Sequence, residues 1–203
     1  MNMILSSVLE RYPSLIGCKG SIQEACDAFV ACFKNKNKVL ICGNGGSAAD
    51  SEHISAELLK GFCNHRKLSG ELRTRLGSEL ADQLQGSLPA IPLANFTSLV
   101  SAYANDCNPT MVYAQLTLGL GQPGDILLAI STSGNAKNVI AAAQVARAKD
   151  MKIIALTGQT GGNLKSFSDI TICVPETVTY KVQELHLPVY HALCLMVESA
   201  IFG

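Results

Sequence analysis

The chain has 203 residues, 16 of them basic and 16 acidic, so it carries no formal net charge at neutral pH. That balance, with no basic run, argues against nucleic acid as a partner, and no apolar stretch of about twenty residues marks a membrane span. Apolar residues make up an ordinary 48% while charged residues reach only 16%, a low share that points to surface buried against other subunits. The segment from Met1 to Tyr12 lacks the basic start and long apolar stretch of a signal peptide, so a cytoplasmic protein is expected. The length suits one domain with a sizeable core. None of the eight cysteines is in CxxC spacing. Cys42, Cys173 and Cys194 lie in apolar segments, and the set reads as reduced thiols acting as small hydrophobes.

Residues 1–36 read as a helical hairpin. Its second helix is expected to start at Ser21, because Glu24 three residues later completes a capping-box pattern. Ala25, Phe29, Val30 and Phe33 then recur at helical spacing. From residue 38 strand and helix alternate. Strands are expected at Val39–Cys42, Ala90–Leu93, Asp125–Ser131, Lys152–Thr157 and Ile170–Val174. Helices are expected at about 47–62, 98–104, 110–120, 136–149 and 179–201, with a short one after the turn Gly158 to Gly162. Apolar strands separated by helices predict an α/β fold with a parallel sheet covered on both faces. Ligands of such sheets bind beyond the carboxyl ends of the strands.

Residues 63–88 break the alternation. Leu68, Leu72, Leu76, Leu80, Leu84 and Leu88 recur every fourth position, which predicts an amphipathic helix that Gly70 and Gly77 weaken. The segment either packs on a neighbour or forms a lid. In the second case Arg66, Lys67, Arg73 and Arg75 could meet a phosphate. No internal repeat, low-complexity tract or linker is present.

Three stretches carry the chemistry. Gly43-Asn44-Gly45-Gly46-Ser47 joins a buried strand to a helix, so its backbone can turn tightly and approach an anion at the helix N-terminus. On that helix His53 and Glu57 stand four apart, on one face, as metal ligands, proton carriers or an ordinary surface pair. The second stretch, Ser131-Thr132-Ser133-Gly134-Asn135, offers three hydroxyls and the N–H groups of the next helix to a phosphate without a positive charge. Helix caps use the same residue types. Neither turn is a P-loop or a dinucleotide fingerprint. The third stretch is Gln183 to His191 on the last helix. Gln183 and His191 share a face, and His186 points elsewhere. Pro188 should bend this helix or mark an irregular start, because it blocks the bond to residue 184.

Together, Cys42-Gly43-Asn44-Gly45-Gly46-Ser47, His53-x-x-x-Glu57, Ser131-Thr132-Ser133-Gly134-Asn135, Leu156-Thr157-Gly158-x-x-Gly161-Gly162 and Gln183-Glu184-x-His186 with His191 resemble the sugar isomerase (SIS) domain, in its phosphoheptose isomerase branch. The resemblance covers nearly the whole chain. It implies a three-layer αβα sandwich with a five-stranded, flavodoxin-like parallel sheet, and a homotetramer with sites at subunit interfaces. It also implies zinc held by His53, Glu57, Gln183 and His191. The implied reaction is aldose–ketose isomerisation of a sugar phosphate, sedoheptulose 7-phosphate first, through an enediol, feeding heptose synthesis for surface polysaccharide. In that reading Glu57 is the base and His191 the acid. Ser47, Ser131, Thr132 and Ser133 bind the phosphate, with Gly45, Gly46 and Gln183 lining the substrate, and Asn44 and Asp106 contact hydroxyls or hold the loops. The alternative is a non-catalytic SIS module that binds a sugar phosphate or a replication initiator. Four features depart from the family pattern: Lys60-Gly61-Phe62 where Gly-Arg is common, Ala136 for a hydroxyl residue, Tyr180 for an aspartate, and the longer 63–88 segment.

Overall fold

The computed structural model describes residues 3–203. Five strands, β1 (Val39–Cys42), β2 (Ala90–Pro92), β3 (Ile126–Ser131), β4 (Lys152–Thr157) and β5 (Ile170–Cys173), form one sheet in the order β2-β1-β3-β4-β5. Every pairing is parallel. The inner strands β1, β3 and, past Lys152, β4 are buried on both faces because successive side chains alternate between two cores. Val39, Ile41, Leu128 and Ile154 point to one side, where they meet α1 (Met3–Arg11), α2 (Lys19–Lys34), α3 (Gly46–Leu59) and α9 (Thr179–Phe202). Leu40, Cys42, Leu127 and Ile153 point to the other, against α7 (Val112–Leu120) and α8 (Lys137–Ala148). The three-layer parallel architecture is the expected one, and its 2-1-3-4-5 order is that of flavodoxin-like sheets.

Local expectations shift in three places. Helix α2 starts at Lys19, and Ser21 does not cap it. The Ser21 hydroxyl instead donates back to the Cys18 carbonyl at 3.0 Å. Helix α3 ends at Leu59 because Lys60 turns extended, with φ −129° and ψ 173°. Helix α9 runs unbroken from Thr179 through Pro188, so the proline marks no irregular start. Among the described helices α9 alone has the length and apolarity of a membrane span. Here it is the core helix, packed on α1, α2 and α3. The cysteines are all free, and five are buried, but Cys63 and Cys107 are exposed.

The 63–88 segment is not one amphipathic helix. It contains two short helices, α4 (Gly70–Leu76) and α5 (Ser78–Ala81), parted at Gly77 with φ 78°. Leu72, Leu80 and Leu84 are exposed, whereas Ala81 and Leu88 are buried. The fourfold leucine spacing therefore serves no continuous buried stripe, and a left-handed glycine breaks the helix it would need.

Two of the four basic residues of this segment, Arg66 and Arg73, are spoken for. Arg66 is fully buried and cannot reach a phosphate. Its Nε donates to Glu198 Oε1 at 2.7 Å, and its terminal nitrogens donate to the carbonyls of Leu58 at 2.6 Å and Glu57 at 2.9 Å. Arg73 pairs with Asp82 at 2.6 Å. Glu198 accepts three further bonds, from the N–H groups of Phe62, Cys63 and Asn64. This knot ties the start of the segment and the end of α3 to α9. Burial disfavours the Glu198 anion, but the N–H donors and Arg66 outweigh it and hold the carboxyl below its usual range. Its stabilisation is therefore present above the unfolded-state pKa of about 4.3 and is lost as pH falls through the lower folded-state value.

Glu198→Gln should strand the buried Arg66 charge and cost about 3–5 kcal/mol of unfolding free energy. Urea titrations over a pH series should also show a shallower acid loss in the variant than in the parent. Equal stability at neutral pH would contradict this reading.

Candidate active site

Three strand-to-helix loops meet at the carboxyl edge of the sheet, as the spacing predicts. β1 leads through Gly43–Gly45 into α3, β3 leads through Ser131–Ala136 into α8, and β4 leads into Gly158–Gly162. They are laced together. Gly158 N–H donates to the Thr132 carbonyl at 2.9 Å and Leu164 N–H to the Gly134 carbonyl at 2.9 Å. Asn163 N–H donates to Asn135 Oδ1 at 3.0 Å. The amides of Asn44 and Asn138 exchange two bonds, at 2.9 and 2.8 Å. Gly134, at φ +66°, lies so close to the Gly161 carbonyl that a Cβ would collide with it. The N-cap residues of α3 and α8 supply no side-chain bond; Ser47 and Ala48 N–H donate to the carbonyls of Asn44 and Gly45, each at 3.0 Å, and Val139 N–H donates to Asn138 Oδ1 at 3.0 Å. Ser47 and Ser131 are buried here, and Ser133 is exposed with its Oγ accepting the Asn135 N–H at 3.1 Å.

Beside this edge α3 packs on α9. His53 Nε2 lies 3.3 Å from Glu57 Oε1. The other oxygen of Glu57 pairs with Lys60 Nζ at 2.9 Å, an exposed lysine whose contact is screened by water. From α9 the His191 ring stands edge-on to His53, with centroids 5.1 Å apart. His191 Nε2 is buried and has no hydrogen-bond partner. Burial, then the adjacent His53, push the His191 pKa below its ordinary value, so the ring is neutral at neutral pH. His53 Nδ1 lies 3.1 Å from the Tyr190 hydroxyl. Asp50 sits beyond that hydroxyl: burial raises its pKa, while the Tyr190 contact and His53 oppose the rise. His186 points into the core, as its position implies, and burial pushes it down to about 4.

Two imidazoles and a carboxylate are a donor set suited to zinc, and an orphaned ring nitrogen such as His191 Nε2 is one that a cation would satisfy. Gln183 lies farther up α9, its amide against Gly46, where a Cβ would fall 2.5 Å from Nε2. The residues thus fit a metal in type and neighbourhood. They are not set in a ligating arrangement: among the described residues, no group of three or more His, Cys, Asp or Glu side chains could hold a metal ion. The Glu57 carboxylate is shared between His53 and Lys60 instead.

The structure thus brings His53, Glu57 and His191 together and sets Gln183 against the first loop. Asn44 holds loops to each other through Asn138. Asp106 makes no hydrogen bond to these loops. It ends α6 (Thr97–Asp106), exposed, and accepts from its neighbour Asn105 at 2.8 Å. Sequence reasoning passed over Asp50 and Tyr190. The signals were weak: Asp50 is three residues before His53, on the same helix face, and Tyr190 is the immediate neighbour of His191.

The SIS domain family profile matches residues 17–158. The phosphoheptose isomerase of Shewanella oneidensis is 44% identical over 185 residues, covering 90% of this chain and 84% of that protein. The structure of the phosphoheptose isomerase from Neisseria gonorrhoeae superposes with a TM-score of 0.73 at 33% identity, over 95% of this chain and 91% of that one. The Francisella tularensis phosphoheptose isomerase gives 0.76 at 31% identity, over 96% and 98%. With its five-stranded sheet, its laced loops and its histidine–carboxylate cluster, the chain belongs to the SIS domain family, among the phosphoheptose isomerases.

Proposed function

We propose that this protein interconverts sedoheptulose 7-phosphate and D-glycero-D-manno-heptose 7-phosphate. The observation that carries the reading is the juxtaposition of the His53–Glu57–His191 cluster with a hydroxyl-lined strand edge, in a chain whose curated relatives are phosphoheptose isomerases. A module that only bound a sugar phosphate would need the loops and not the cluster.

The reaction moves one proton between C1 and C2 of the open-chain sugar. Glu57 takes the C1 proton from the ketose to give the enediol and returns it to C2 to give the aldose. His191 passes the accompanying proton between the two oxygens, O1 to O2. A positioned acid or base of this kind contributes roughly 10²–10⁴-fold. The phosphate sits at the far end, on Ser47, Ser131, Thr132 and Ser133 and the N-termini of α3 and α8, which fixes C1 and C2 against Glu57. Glu57 must leave Lys60 to act, and the exposure of that lysine makes the exchange inexpensive.

His53, Glu57, Gln183 and His191 are the residues that would hold zinc. When bound, zinc would supply Lewis-acid polarisation of the sugar oxygens. The low charged share and the exposed Leu99, Met111 and Leu118 support assembly into a homotetramer. We place the enzyme in the cytoplasm, where sugar phosphates are made, supplying heptose for surface polysaccharide.

Glu57→Gln should fold normally and keep its KM for the sugar phosphate within a few-fold, while kcat falls by about 10²–10⁴ or more. Turnover at the parental rate would remove Glu57 from the base role. Dialysis against a strong chelator should abolish turnover, and stoichiometric zinc should restore it. Full activity in a protein shown to be metal-free by elemental analysis would refute the zinc assignment.

A further inference from the structure

The first strand ends at Cys42, whose register mate is Ala129 on β3. The next carbonyl, that of the buried Gly43, lies past the end of this ladder and needs a donor from elsewhere. Tyr113 on α7 supplies it: its hydroxyl donates to the Gly43 carbonyl at 2.5 Å. Tyr113 is buried, and its ring shares a core with Cys42, Leu93 and Val139. Burial, then the neighbouring Cys42, push its pKa up to about 12, so the hydroxyl keeps its proton at neutral pH.

The peptide between Gly43 and Asn44 is trans, and a planar trans peptide points its C=O and N–H in opposite directions. With the Gly43 carbonyl held toward α7, the Asn44 N–H is turned away from that helix. Asn44 is exposed, and among the described residues its N–H has no hydrogen-bond partner. Its side chain is held clear, because the amide is engaged twice with Asn138 on α8. Gly43 itself imposes no direction. It must be glycine, since a Cβ would fall 2.6 Å from the Ser47 carbonyl, and glycine is the residue whose peptide rotates most freely. The direction is therefore set from outside the loop, by Tyr113 and Asn138.

We propose that Tyr113 is a positioning residue for the substrate phosphate: its hydroxyl fixes the direction of the Gly43–Asn44 peptide so that the Asn44 N–H is presented to the anion, while Asn138 holds the Asn44 side chain aside. This assignment rests on the reading of the strand edge as the phosphate seat, and it adds a backbone donor to the hydroxyls of Ser47, Ser131, Thr132 and Ser133. Tyr113 touches neither the phosphate nor the reacting carbons. A seat that must first reorganise weakens the binding of substrate and transition state alike, which raises KM and leaves kcat.

The test uses the full-length protein, its Tyr113→Phe variant, which removes one oxygen and keeps the ring, and Asn138→Ala, which releases the Asn44 amide. Binding of inorganic phosphate is measured by calorimetry, and the Asn44 amide is followed in proton–nitrogen-15 spectra as phosphate is added; neither needs turnover. KM and kcat are measured with sedoheptulose 7-phosphate. In the parent, the Asn44 amide proton should move downfield as phosphate binds. In Tyr113→Phe that shift should shrink, and the phosphate Kd and the KM should both rise about 3–30-fold with kcat within about two-fold. A tyrosine that only supports the fold would lower the melting temperature and leave Kd, KM and the Asn44 response at parental values, and that result would overturn the proposal. So would a parental Asn44 amide that does not respond to bound phosphate. If Tyr113→Phe fails to fold, the same readings on Asn138→Ala decide. If the parent binds no phosphate, the phosphate-seat reading fails and this assignment falls with it; if the parent and both variants bind it equally, the seat stands and the role of Tyr113 is refuted.

Discussion

The contact between α3 and α9 is the constraint on which the rest depends. One helix leaves the first strand and the other closes the chain, and nothing in local sequence joins them. Their packing sets His53 and Glu57 against His191, with ring centroids 5.1 Å apart. The same seam is locked at its far end by Glu198 and Arg66, both buried: the carboxylate accepts three backbone N–H bonds and the guanidinium donates two bonds to carbonyls of the 57–64 backbone. A buried ion pair is not in itself a source of stability. Its worth here is geometric, since it fixes where α3 stops and how the chain leaves it.

The sheet supplies the second half of the site. Parallel strands deliver their carboxyl ends to one edge, so the loops after β1, β3 and β4 are neighbours although they are spread over residues 43–162. The Gln183 amide against Gly46, the Gly161 backbone against Gly134, and amide pairing between Asn44 and Asn138 leave these loops little freedom. A rigid anion seat at a fixed distance from a proton-transfer group is what isomerisation at C1 and C2 needs. In the proposed reaction the phosphate would anchor one end of the substrate on these loops, with little cationic charge spent on it.

Much of this was legible in sequence. All five strands lie within a residue or so of where apolar runs place them, because strands buried on both faces must be continuously apolar. The loops were legible because glycine and hydroxyl residues cluster only where a backbone turns or a ligand approaches. What was not legible follows from tertiary context. The leucines of 63–88 keep helical spacing, yet Gly77 takes φ 78° and divides the helix. Arg66 reads as a phosphate ligand until Glu198, 132 residues later, is seen beside it. Ser21 has a capping-box spacing, but the helix is already under way at Lys19. Tyr190 and Asp50 acquire meaning only once two helices meet.

The central claim is that proton transfer between C1 and C2 of a phosphorylated ketose occurs at this seam. The most direct measurement is proton NMR of sedoheptulose 7-phosphate incubated with the zinc-loaded protein in heavy water. The account predicts deuterium entering at C1 of the ketose or C2 of the aldose as the two interconvert. Saturable binding of the sugar phosphate with no exchange at either carbon would contradict it.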